Sequence, residues 1–374
     1  MNYSFWEKKN IEDLYDVTII GSGITGLSTA ISIKEAAPNL TVKIIERGAN
    51  PNGASTKNAG FSCFGSVSEI LDDIDQFGSE RTQEIIQMRW NGLSILKSRL
   101  TKEQMEYSNC GGVEAFRTKD KDLWDICHDR LDEANALFET ITFEKQTWQW
   151  RKSSINHEFF NTELYNPLEG KLNPQSMMRE LTKMAIQLGV DIFYGIEVED
   201  VSFDEKILYC KGDVQISYQK LVICTNGFTK RILPDLDIVP ARNQVLMTKP
   251  LRGLKLENTY HIDRGYLYFR TYQDRILLGG GRNMDVDGET TDAFGLTDDI
   301  QQYLIRFLES IFPGASQHIG MWWSGILGVG TSKIPIVKWV GEEVLCGVRL
   351  GGMGVAIGSY LGKKLSEEIL KTHR

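Results

Sequence analysis

The hydrophobic pattern near the N-terminus predicts a β-strand, a helix and a second strand in close succession. Residues 17–20 form the β-branched run VTII, which is typical of a buried parallel strand. Residues 27–37 have helical character and end before Pro38, and a second apolar run covers residues 41–45. Together these segments predict one βαβ unit of about 30 residues.

Further along the chain, the pattern predicts mostly helices and then mostly strands. Residues 66–150 are interpreted as largely helical, with one helix capped by Ser79 and a second over about 120–137. Asn173 and Pro174 are residue types that open a helix, and the methionines that follow them fit its buried face. The remaining predicted segments are listed here: short strands between 191 and 225, antiparallel alternation over 237–249 and 259–281, a helix near 298–311, strands at 321–327, 334–339 and 343–348, and a closing helix from about 352 to 371.

Composition narrows the class of protein. With 374 residues, of which 41% are hydrophobic and 25% charged, the chain is long enough for two globular domains. Its net charge of −8 argues against a nucleic-acid partner. No stretch of about 18 apolar residues is present, so we expect no membrane span. Six widely spaced cysteines predict reduced thiols and a cytoplasmic location, and the five histidines show no zinc-binding spacing, so no metal site is expected. The oligomeric state stays open.

A glycine-rich loop follows the first predicted strand. In Gly21-Ser22-Gly23-Ile24-Thr25-Gly26 the first glycine permits a tight turn, the second lets the backbone approach a pyrophosphate, and the third allows close helix–strand packing. The helix that begins here offers free N–H groups and a positive dipole end to phosphates. Glu46 ends the second strand, where its carboxylate can bind a ribose diol. This pattern predicts a dinucleotide site but does not distinguish NAD from FAD.

The next loop carries a family resemblance. The sequence Gly53-Ala54-Ser55-Thr56-Lys57-Asn58-Ala59-Gly60-Phe61 resembles the GAS-x-x-NAG loop of the FAD-dependent D-amino-acid oxidase superfamily. That superfamily includes glycine oxidase, sarcosine oxidase and the γ-glutamylputrescine oxidoreductase type, which this chain resembles most. Further similar segments follow in the same order: 222–227, the hairpin 266–270 with 278–281, 323–325 through Pro335, and 347–354.

The resemblance implies an α/β fold (α+β overall). A Rossmann-like FAD-binding domain is expected to interleave with a substrate domain built on a mixed, mainly antiparallel β-sheet. The predicted boundaries are as follows: 1–78, 166–234 and 329–374 for the three parts of the FAD-binding domain, 79–165 for a helical and substrate-domain segment, and 235–328 for the antiparallel sheet.

The resemblance also implies noncovalent FAD and the residues that bind it. Glu46 is expected to hold the adenosine ribose, Arg47 to flank the adenine, and Val198 to contact it through its backbone. The full expected set is Gly21, Ser22, Gly23, Ile24, Thr25, Gly26, Glu46, Arg47, Ser55, Thr56, Asn58, Ala59, Gly60, Phe61, Val198, Thr225, Asn226, Gly227, Gly351, Gly352, Met353, Gly354 and Val355. Independently, Gly354, Gly358 and Gly362 share one helix face, which permits close backbone approach, and the helix N-terminus would stabilise negative charge on a reduced flavin.

On the substrate side, alternation places Tyr266, Tyr268 and Arg270 on one strand face, and these residues are the candidates that position the substrate together with Trp323. His261 is a further candidate for the pocket wall. The resemblance implies hydride transfer to FAD from the carbon next to an amine nitrogen, giving an imine that hydrolyses, with re-oxidation by dioxygen or another acceptor.

Two positions depart from the family pattern. Leu327 stands where amino-acid members carry a carboxylate-clamping arginine, which favours an amine substrate, although Arg270 or Arg282 could replace the clamp. Leu277 stands near the position of the lysine that activates dioxygen in sarcosine oxidases. Glycine or D-amino-acid oxidation, action on a modified tRNA base, and a flavoprotein without turnover remain alternatives, although the acidic charge balance disfavours the tRNA substrate.

Overall fold

Two large β-sheets organise the protein in the computed structural model, which describes residues 4–155 and 158–372. The strands are, in chain order, β1 Val17–Ile20, β2 Val42–Glu46, β3 Phe61–Ser62, β4 Gly112–Glu114, β5 Gln149–Lys152, β6 Thr162–Asn166, β7 Gly170–Lys171, β8 Val190–Tyr194, β9 Val198–Ser202, β10 Ile207–Cys210, β11 Val214–Ser217, β12 Lys220–Ile223, β13 Val239–Thr248, β14 Thr259–Ile262, β15 Leu267–Tyr272, β16 Arg275–Gly280, β17 Ile319–Val329, β18 Ile336–Trp339 and β19 Val344–Val348.

The helices lie against these sheets and between them. They are, in chain order, α1 Phe5–Glu12, α2 Ile24–Ala36, α3 Val67–Phe77, α4 Ser79–Arg99, α5 Lys102–Met105, α6 Lys121–Asp129, α7 Leu131–Thr142, α8 Pro174–Gln187, α9 Asp298–Ile311 and α10 Gly354–Lys371. Within the described ranges, no helix combines the length and the apolar character that crossing a membrane requires.

The first sheet is parallel except at one edge. Its strand order is β18-β19-β12-β1-β2-β8, and only β18 runs antiparallel to its neighbour. Every residue of β1 and β2 is buried, which explains why both strands are continuous apolar runs. Because β1, β2, β12 and β19 are parallel, their carboxyl ends meet at one edge of the sheet. Ligands of open α/β sheets bind at that edge.

The second sheet has eight strands and is mainly antiparallel. Its order is β17-β13-β16-β15-β14-β4-β6-β5, and only β14 and β4 pair in parallel. One face packs against α9 through residues such as Leu246 and Phe269. Val245 and Leu277 face the opposite way, towards Ala59 in the loop 53–61 that follows β2. The alternation seen in the sequence therefore separates a core face from a face that covers the loop.

The two sheets take strands from alternating stretches of the chain, so the expected interleaved α/β architecture is present. The domain boundaries themselves remain predictions. The helix that we predicted to open at Asn173 is confirmed, because the Asn173 side chain accepts hydrogen bonds from the N–H groups of Gln175 and Ser176, and Met177 and Met178 are buried.

Three local predictions need correction. The single helix predicted over 120–137 is two helices, α6 and α7, because the backbone of Arg130 leaves the helical conformation, with φ of −115° and ψ of 14°. The region predicted as largely helical also contains the strand β4. Its pairing partners, β6 and β14, lie later in the chain, outside that region. Finally, Gly78 rather than Ser79 is the N-terminal cap residue of α4, and it has a positive φ of 84°.

Candidate active site

The loop between β1 and α2 has the backbone shape that a pyrophosphate site needs. Gly21 has φ of +101°, and a Cβ on Gly26 would lie 1.9 Å from the carbonyl oxygen of Gly21. The loop is therefore closed tightly onto the first turn of α2. The Thr25 hydroxyl is buried there, lines the cavity, and finds no hydrogen-bond partner among the described residues. An unpaired buried hydroxyl beside free helix N–H groups is suited to an anionic ligand.

Glu46 lies at the carboxyl end of β2, on the cavity floor. One of its carboxylate oxygens accepts hydrogen bonds from the Ser22 N–H at 3.0 Å and the Ser22 hydroxyl at 2.7 Å. The other oxygen accepts from the Gly48 N–H at 3.0 Å. Glu46 is thus held in place by its own neighbours, and Ser22 acts by fixing Glu46 rather than by lining the cavity.

At the far end of the cavity, an arginine lies on an aromatic ring. The Arg47 guanidinium is 3.7 Å from the ring centre of Phe228. Its Nη2 is buried without a partner among the described residues, and burial lowers the pKa of Arg47. Arg231, paired with Asp292, and Val198 line the same end. An aromatic and aliphatic wall with the partly buried Arg47 guanidinium on it is suited to an adenine ring. The sequence reasoning missed Phe228, although it directly follows the motif that ends at Gly227.

The loop after β2 seats the middle of the cavity. The Ser55 hydroxyl accepts a hydrogen bond from the Ile24 N–H at 3.0 Å, which ties this loop to the first turn of α2. The Asn58 side chain donates to the Ser55 carbonyl at 2.7 Å and accepts from the Gly60 N–H at 2.8 Å. These contacts fold the segment back on itself, so that its backbone forms a wall of the cavity.

The N-terminus of α10 forms the opposite wall. Gly351, Gly352 and Gly354 have no atom within 4 Å of where a Cβ would stand, and all three line the cavity. The cap residue, Met353, makes no side-chain hydrogen bond to the helix. The first N–H groups of α10 are therefore without a capping side chain, and the positive end of the helix dipole lies beside this glycine segment.

Two cavities meet at this segment. The first, with about 1200 Å³ of empty space, runs from Arg47 past the phosphate loop to Gly354. The second, with about 1970 Å³, continues from Asn58 to the face of the eight-stranded sheet. The residues that line both are Ala54, Asn58, Leu327, Leu350, Gly351, Gly352 and Val355. An elongated dinucleotide fits a continuous space of this kind, with its phosphates at α2 and its second ring system at α10.

Most of the predicted cofactor residues are brought together here. Those that line the first cavity are Gly21, Gly23, Ile24, Thr25, Glu46, Arg47, Ser55, Asn58, Val198, Thr225, Asn226, Gly351, Gly352, Gly354 and Val355. Ala59, Gly60, Phe61 and Met353 line the second cavity. Four others line neither: Ser22, Gly26, Thr56 and Gly227. Gly227 has a packing role, because a Cβ there would lie 2.4 Å from the Leu327 carbonyl oxygen.

The predicted substrate residues divide into two groups. Tyr266 and Tyr268 line the second cavity, and the Tyr268 hydroxyl accepts a hydrogen bond from the Asn243 amide at 3.0 Å. Arg270 and Trp323 do not line it. Arg270 is buried and donates to the Leu172 carbonyl at 2.9 Å, and the Trp323 indole donates to the Lys57 carbonyl at 2.9 Å. Their predicted substrate contact stays a prediction, since both side chains are engaged in fixing the loops around the cavity.

Arg282 also lines the second cavity. It follows Gly281, whose N–H donates to the Tyr266 carbonyl at 2.8 Å. The Arg282 guanidinium makes no ion pair or hydrogen bond with any residue in the part of the chain that the structure describes, although the Arg282 backbone carbonyl accepts a hydrogen bond from the Asp285 N–H at 3.2 Å. Leu327, which the sequence comparison predicts at or near the position of the family's clamp, contributes only an apolar surface. Of the two arginines that the sequence offered as a substitute clamp, Arg282 alone reaches the cavity.

A buried ion cluster lies at the other side of the second cavity. Arg89 is only 2% exposed and pairs with Glu69 at 2.8 Å. Lys333 pairs with the same carboxylate at 3.0 Å and with Asp73 at 2.6 Å. Burial opposes the charge on Glu69, but Arg89 and Lys333 together hold the pKa of Glu69 well below its usual range. The charges of this cluster are thus internally matched.

Two more carboxyl groups are completely enclosed behind the cavity. Burial raises the pKa of Glu114 to about 7, although Ser68 donates hydrogen bonds to it. Burial also raises the pKa of Glu169 to about 8. His261 lines the cavity in front of Glu169, and burial lowers the pKa of this imidazole to about 4. Sequence reasoning missed Glu169, because no local pattern connects it with His261.

Comparison with known proteins agrees with this geometry. The probable oxidoreductase OrdL of Haemophilus influenzae is 22% identical over 375 residues, spanning 95% of this chain and 83% of that protein. Gamma-glutamylputrescine oxidoreductase of Escherichia coli is 22% identical over 392 residues, spanning 98% and 86%. The crystal structure of glycine oxidase from Geobacillus kaustophilus superimposes with a TM-score of 0.74 at 17% identity, covering 96% and 95% of the two chains.

The fold, the dinucleotide-shaped cavity and these similarities point to one cofactor, and the donors around the cavity fit it. The Thr25 hydroxyl and the Arg47 Nη2 are buried and unpartnered at the cavity wall, and the open glycines at 351–354 leave room for a planar ring system. The family model for FAD-dependent oxidoreductases, known as DAO, matches residues 16–368. The chain therefore belongs to the DAO family of FAD-dependent oxidoreductases.

Proposed function

We propose that this enzyme oxidises the carbon–nitrogen bond of a small amine, releasing an imine that water hydrolyses to a carbonyl compound and ammonia or a smaller amine. Bound FAD supplies the hydride acceptor for this reaction. The observation that carries the proposal is the second cavity, which joins the cofactor cavity at Gly351 and Gly352 and contains Tyr266, Tyr268 and His261 on its wall. A small substrate in that cavity would lie against the ring end of the cofactor.

The residues around the cavity can position such a substrate. Tyr268 is fixed by Asn243, and Phe61 packs edge-on against the Tyr268 ring at 5.5 Å between ring centres. Rigid aromatic walls hold the reacting carbon in place, which is the main contribution that a flavoenzyme makes to hydride transfer. The free N–H groups at the start of α10 would stabilise the negative charge of the reduced cofactor.

Leu327 supports an amine rather than an α-amino acid as the substrate. An α-carboxylate in a desolvated pocket needs a bidentate cationic partner, and a leucine cannot supply one. The similarity to gamma-glutamylputrescine oxidoreductase, a protein whose name states an amine substrate, supports the same proposal.

Oxidation of an amino acid is the second candidate, and Arg282 favours it. This arginine lines the cavity without an acidic partner among the described residues, so its guanidinium is free to hold a carboxylate. A substrate that carries both an amine and a carboxylate some distance from it would satisfy Leu327 and Arg282 at once.

Anaerobic bleaching of the flavin tests the proposal. The FAD-loaded protein is mixed with a panel of primary and secondary amines, glycine and D-amino acids, and the loss of flavin absorbance is followed over time. We expect amines without an α-carboxylate to reduce the flavin faster than glycine or D-alanine. Failure of every compound would contradict amine oxidation, and faster reduction by glycine or D-alanine would favour the second candidate.

The electron acceptor is measured in the same preparation. Leu277 is buried against Ala59 and Val245, so this position brings no charge near the cofactor. We therefore expect re-oxidation of the reduced flavin by dioxygen to be slower than by an artificial dye acceptor. Rapid-mixing measurements with each oxidant separate an oxidase from a dehydrogenase.

A further inference from the structure

Two buried polar atoms face each other behind the substrate cavity. The Nε2 of His261 and the Oε2 of Glu169 are 3.8 Å apart, and neither has a hydrogen-bond partner among the described residues. Glu169 is completely buried, so its carboxyl group has no access to solvent. Unpaired buried polar groups cost free energy, and a catalytic role is one of the few reasons for which a protein keeps them.

The surrounding backbone is built around this pair. The other oxygen of Glu169 accepts a hydrogen bond from the Phe64 N–H at 3.0 Å. A Cβ on Gly112 would lie 2.0 Å from Oε2, so the absence of a side chain at residue 112 makes room for the carboxyl group. His261 sits on β14 between β4 and β15, and the Phe61 ring of the cofactor loop packs edge-on against it at 5.1 Å.

The proposed reaction requires that a proton be removed from the substrate ammonium group. An amine that loses hydride from the adjacent carbon must first expose its nitrogen lone pair, yet small amines are ammonium ions at neutral pH. Glu69 and Asp73, at the other side of the cavity, are already paired with Arg89 and Lys333. His261 also lines the cavity, but no Lys or Arg side chain among the described residues pairs with it. Its Nδ1 is the ring nitrogen nearer to Gly265, which lines the cavity as well.

We propose that His261 is a catalytic residue that takes the substrate ammonium proton on Nδ1, and that Glu169 is a positioning residue that holds the Nε2–H tautomer. This inference rests on the proposed function. One N–H bond of the ammonium breaks as the Nδ1–H bond forms. The freed lone pair then forms the C=N bond while the C–H electron pair leaves as hydride, and water later adds to the iminium carbon.

The proposal predicts that the rate of flavin reduction depends on pH, because the protonation state of Glu169 decides which nitrogen of His261 carries the proton. With Glu169 protonated, its O–H would donate to Nε2 once the two atoms approach from 3.8 Å to hydrogen-bonding distance, so the imidazole would carry its proton on Nδ1 and could not accept another there. Ionisation of Glu169, whose pKa burial raises to about 8, reverses this arrangement and frees Nδ1. Flavin reduction at saturating substrate should therefore rise with pH through that region. Titratable or charged groups on the elements packed around the pair include Cys63, Glu69, Asp72, Arg89, Glu114, Asp263, Arg264 and Tyr268, and β14 and β15 also carry Tyr260, Arg270 and Tyr272.

A first experiment reads the tautomer without turnover. The chain has five histidines, so nitrogen NMR of the protein labelled with ¹⁵N-histidine is tractable, and His261→Asn identifies the His261 signals by their loss. We expect the proton of His261 to move from Nδ1 to Nε2 between about pH 6 and about pH 10 in the unchanged protein. Glu169→Gln should lock it on Nδ1, because the amide donates to Nε2 at every pH. A tautomer that responds neither to pH nor to Glu169→Gln overturns the pairing.

A second experiment measures flavin reduction by an amine that reduces the unchanged enzyme. His261→Asn should slow reduction at neutral pH about 100-fold or more. The defect should shrink towards the pKa of the substrate amine, where the free amine needs no base. Glu169→Gln should abolish the rise with pH. The matched control, His318→Asn, changes a histidine outside the cavity and should leave the profile unchanged.

The outcomes separate the two levels of the proposal. If no amine or amino acid reduces the unchanged enzyme, amine oxidation is wrong and the proton-accepting role falls with it. If the unchanged enzyme is reduced, but His261→Asn slows it by the same factor at every pH, amine oxidation stands and His261 is not the base. If His261→Asn does not fold with FAD, the NMR titration and the pH profile of Glu169→Gln decide.

Discussion

Gly362 of α10 lies so close to Ser28 of α2 that a Cβ on Gly362 would be 2.5 Å from the Ser28 Cβ and 2.7 Å from the Thr29 nitrogen. One turn earlier, Gly358 is equally close to Ile24, whereas Gly354 has open space and borders the cavity. The shared glycine face seen in the sequence thus serves two purposes. It locks two helices together, and it lets both helix N-termini approach the cofactor cavity.

Gly362→Ala should destabilise the fold. The added methyl group meets backbone atoms of α2 that can move only if the two helices separate, and overpacking of this kind costs about 1–3 kcal/mol. Thermal and urea unfolding of the FAD-loaded protein would measure the loss.

The matched control is Gly354→Ala on the same helix face. It should leave the free energy of unfolding of the FAD-free protein within about 0.5 kcal/mol, while the dissociation constant for FAD rises about 10-fold or more, because its methyl group enters the cavity. Equal loss of stability in both variants would contradict the division of roles along α10.

Phe228→Leu should weaken FAD binding. The ring carries the Arg47 guanidinium at 3.7 Å, and both side chains line the end of the cavity assigned to adenine. Loss of a cation–π contact of about 0.5–2 kcal/mol should raise the FAD dissociation constant about 2- to 30-fold, as measured by fluorescence titration of the apoprotein. Phe203→Leu, which changes an exposed ring outside both cavities, is the control and should bind FAD normally.

The phosphate loop and the parallel strands could be predicted from the sequence because their constraints are local. Gly21 must take a positive φ. Gly26 must have no side chain, because the carbonyl oxygen of Gly21 occupies the space next to its Cα. The strand β1 must be apolar on both faces. Each requirement leaves a signal within a few residues. The break at Arg130 left no such signal, since no glycine or proline lies near it, and the Arg130–Asp75 ion pair joins residues that are far apart in the sequence.

The substrate-binding residues were harder to predict from the sequence, because their positions depend on contacts between residues far apart in the chain. Alternation put Tyr268 and Arg270 on one face of the strand, yet only Tyr268 lines the cavity, because Arg270 is drawn to the Leu172 carbonyl. The choice between Arg270 and Arg282 as a free cation depended on that one long-range hydrogen bond. Glu169 and His261 likewise meet only when β4, β7 and β14 have assembled.

Arg282→Met should discriminate between substrates with and without a carboxylate. A hydrogen bond between the guanidinium and a carboxylate contributes about 1.5–3 kcal/mol. Binding of carboxylate-bearing amines should therefore weaken about 10- to 100-fold. The change is measured in KM and in the dissociation constant of an unreactive carboxylate analogue. Amines without a carboxylate should be unaffected. Arg306→Met, on α9 and outside the cavity, is the control. Equal effects on both substrate types would exclude Arg282 as the clamp.

Lys333→Met should destabilise the protein in a pH-dependent way. Lys333 bridges Glu69 at 3.0 Å and Asp73 at 2.6 Å, and its removal leaves two nearby carboxylates with only Arg89 to balance them. Burial, followed by the charge of Glu69, raises the pKa of Asp73 even with the lysine present. Without the lysine that pKa rises further, so at neutral pH the folded protein must hold an unfavourable charge or take up a proton.

The sign of the effect follows from linkage. A carboxyl group whose pKa is higher in the folded than in the unfolded state binds protons more readily when folded, so acidification favours the folded state. Because Lys333 is partly exposed, we expect a loss of about 1–3 kcal/mol near pH 8 and a smaller loss near pH 5, measured by urea unfolding at both values. Lys338→Met, which changes an exposed lysine of β18, should behave like the unchanged protein at both. A loss that is the same at pH 5 and pH 8 would show that Lys333 stabilises by packing rather than by balancing the buried carboxylates.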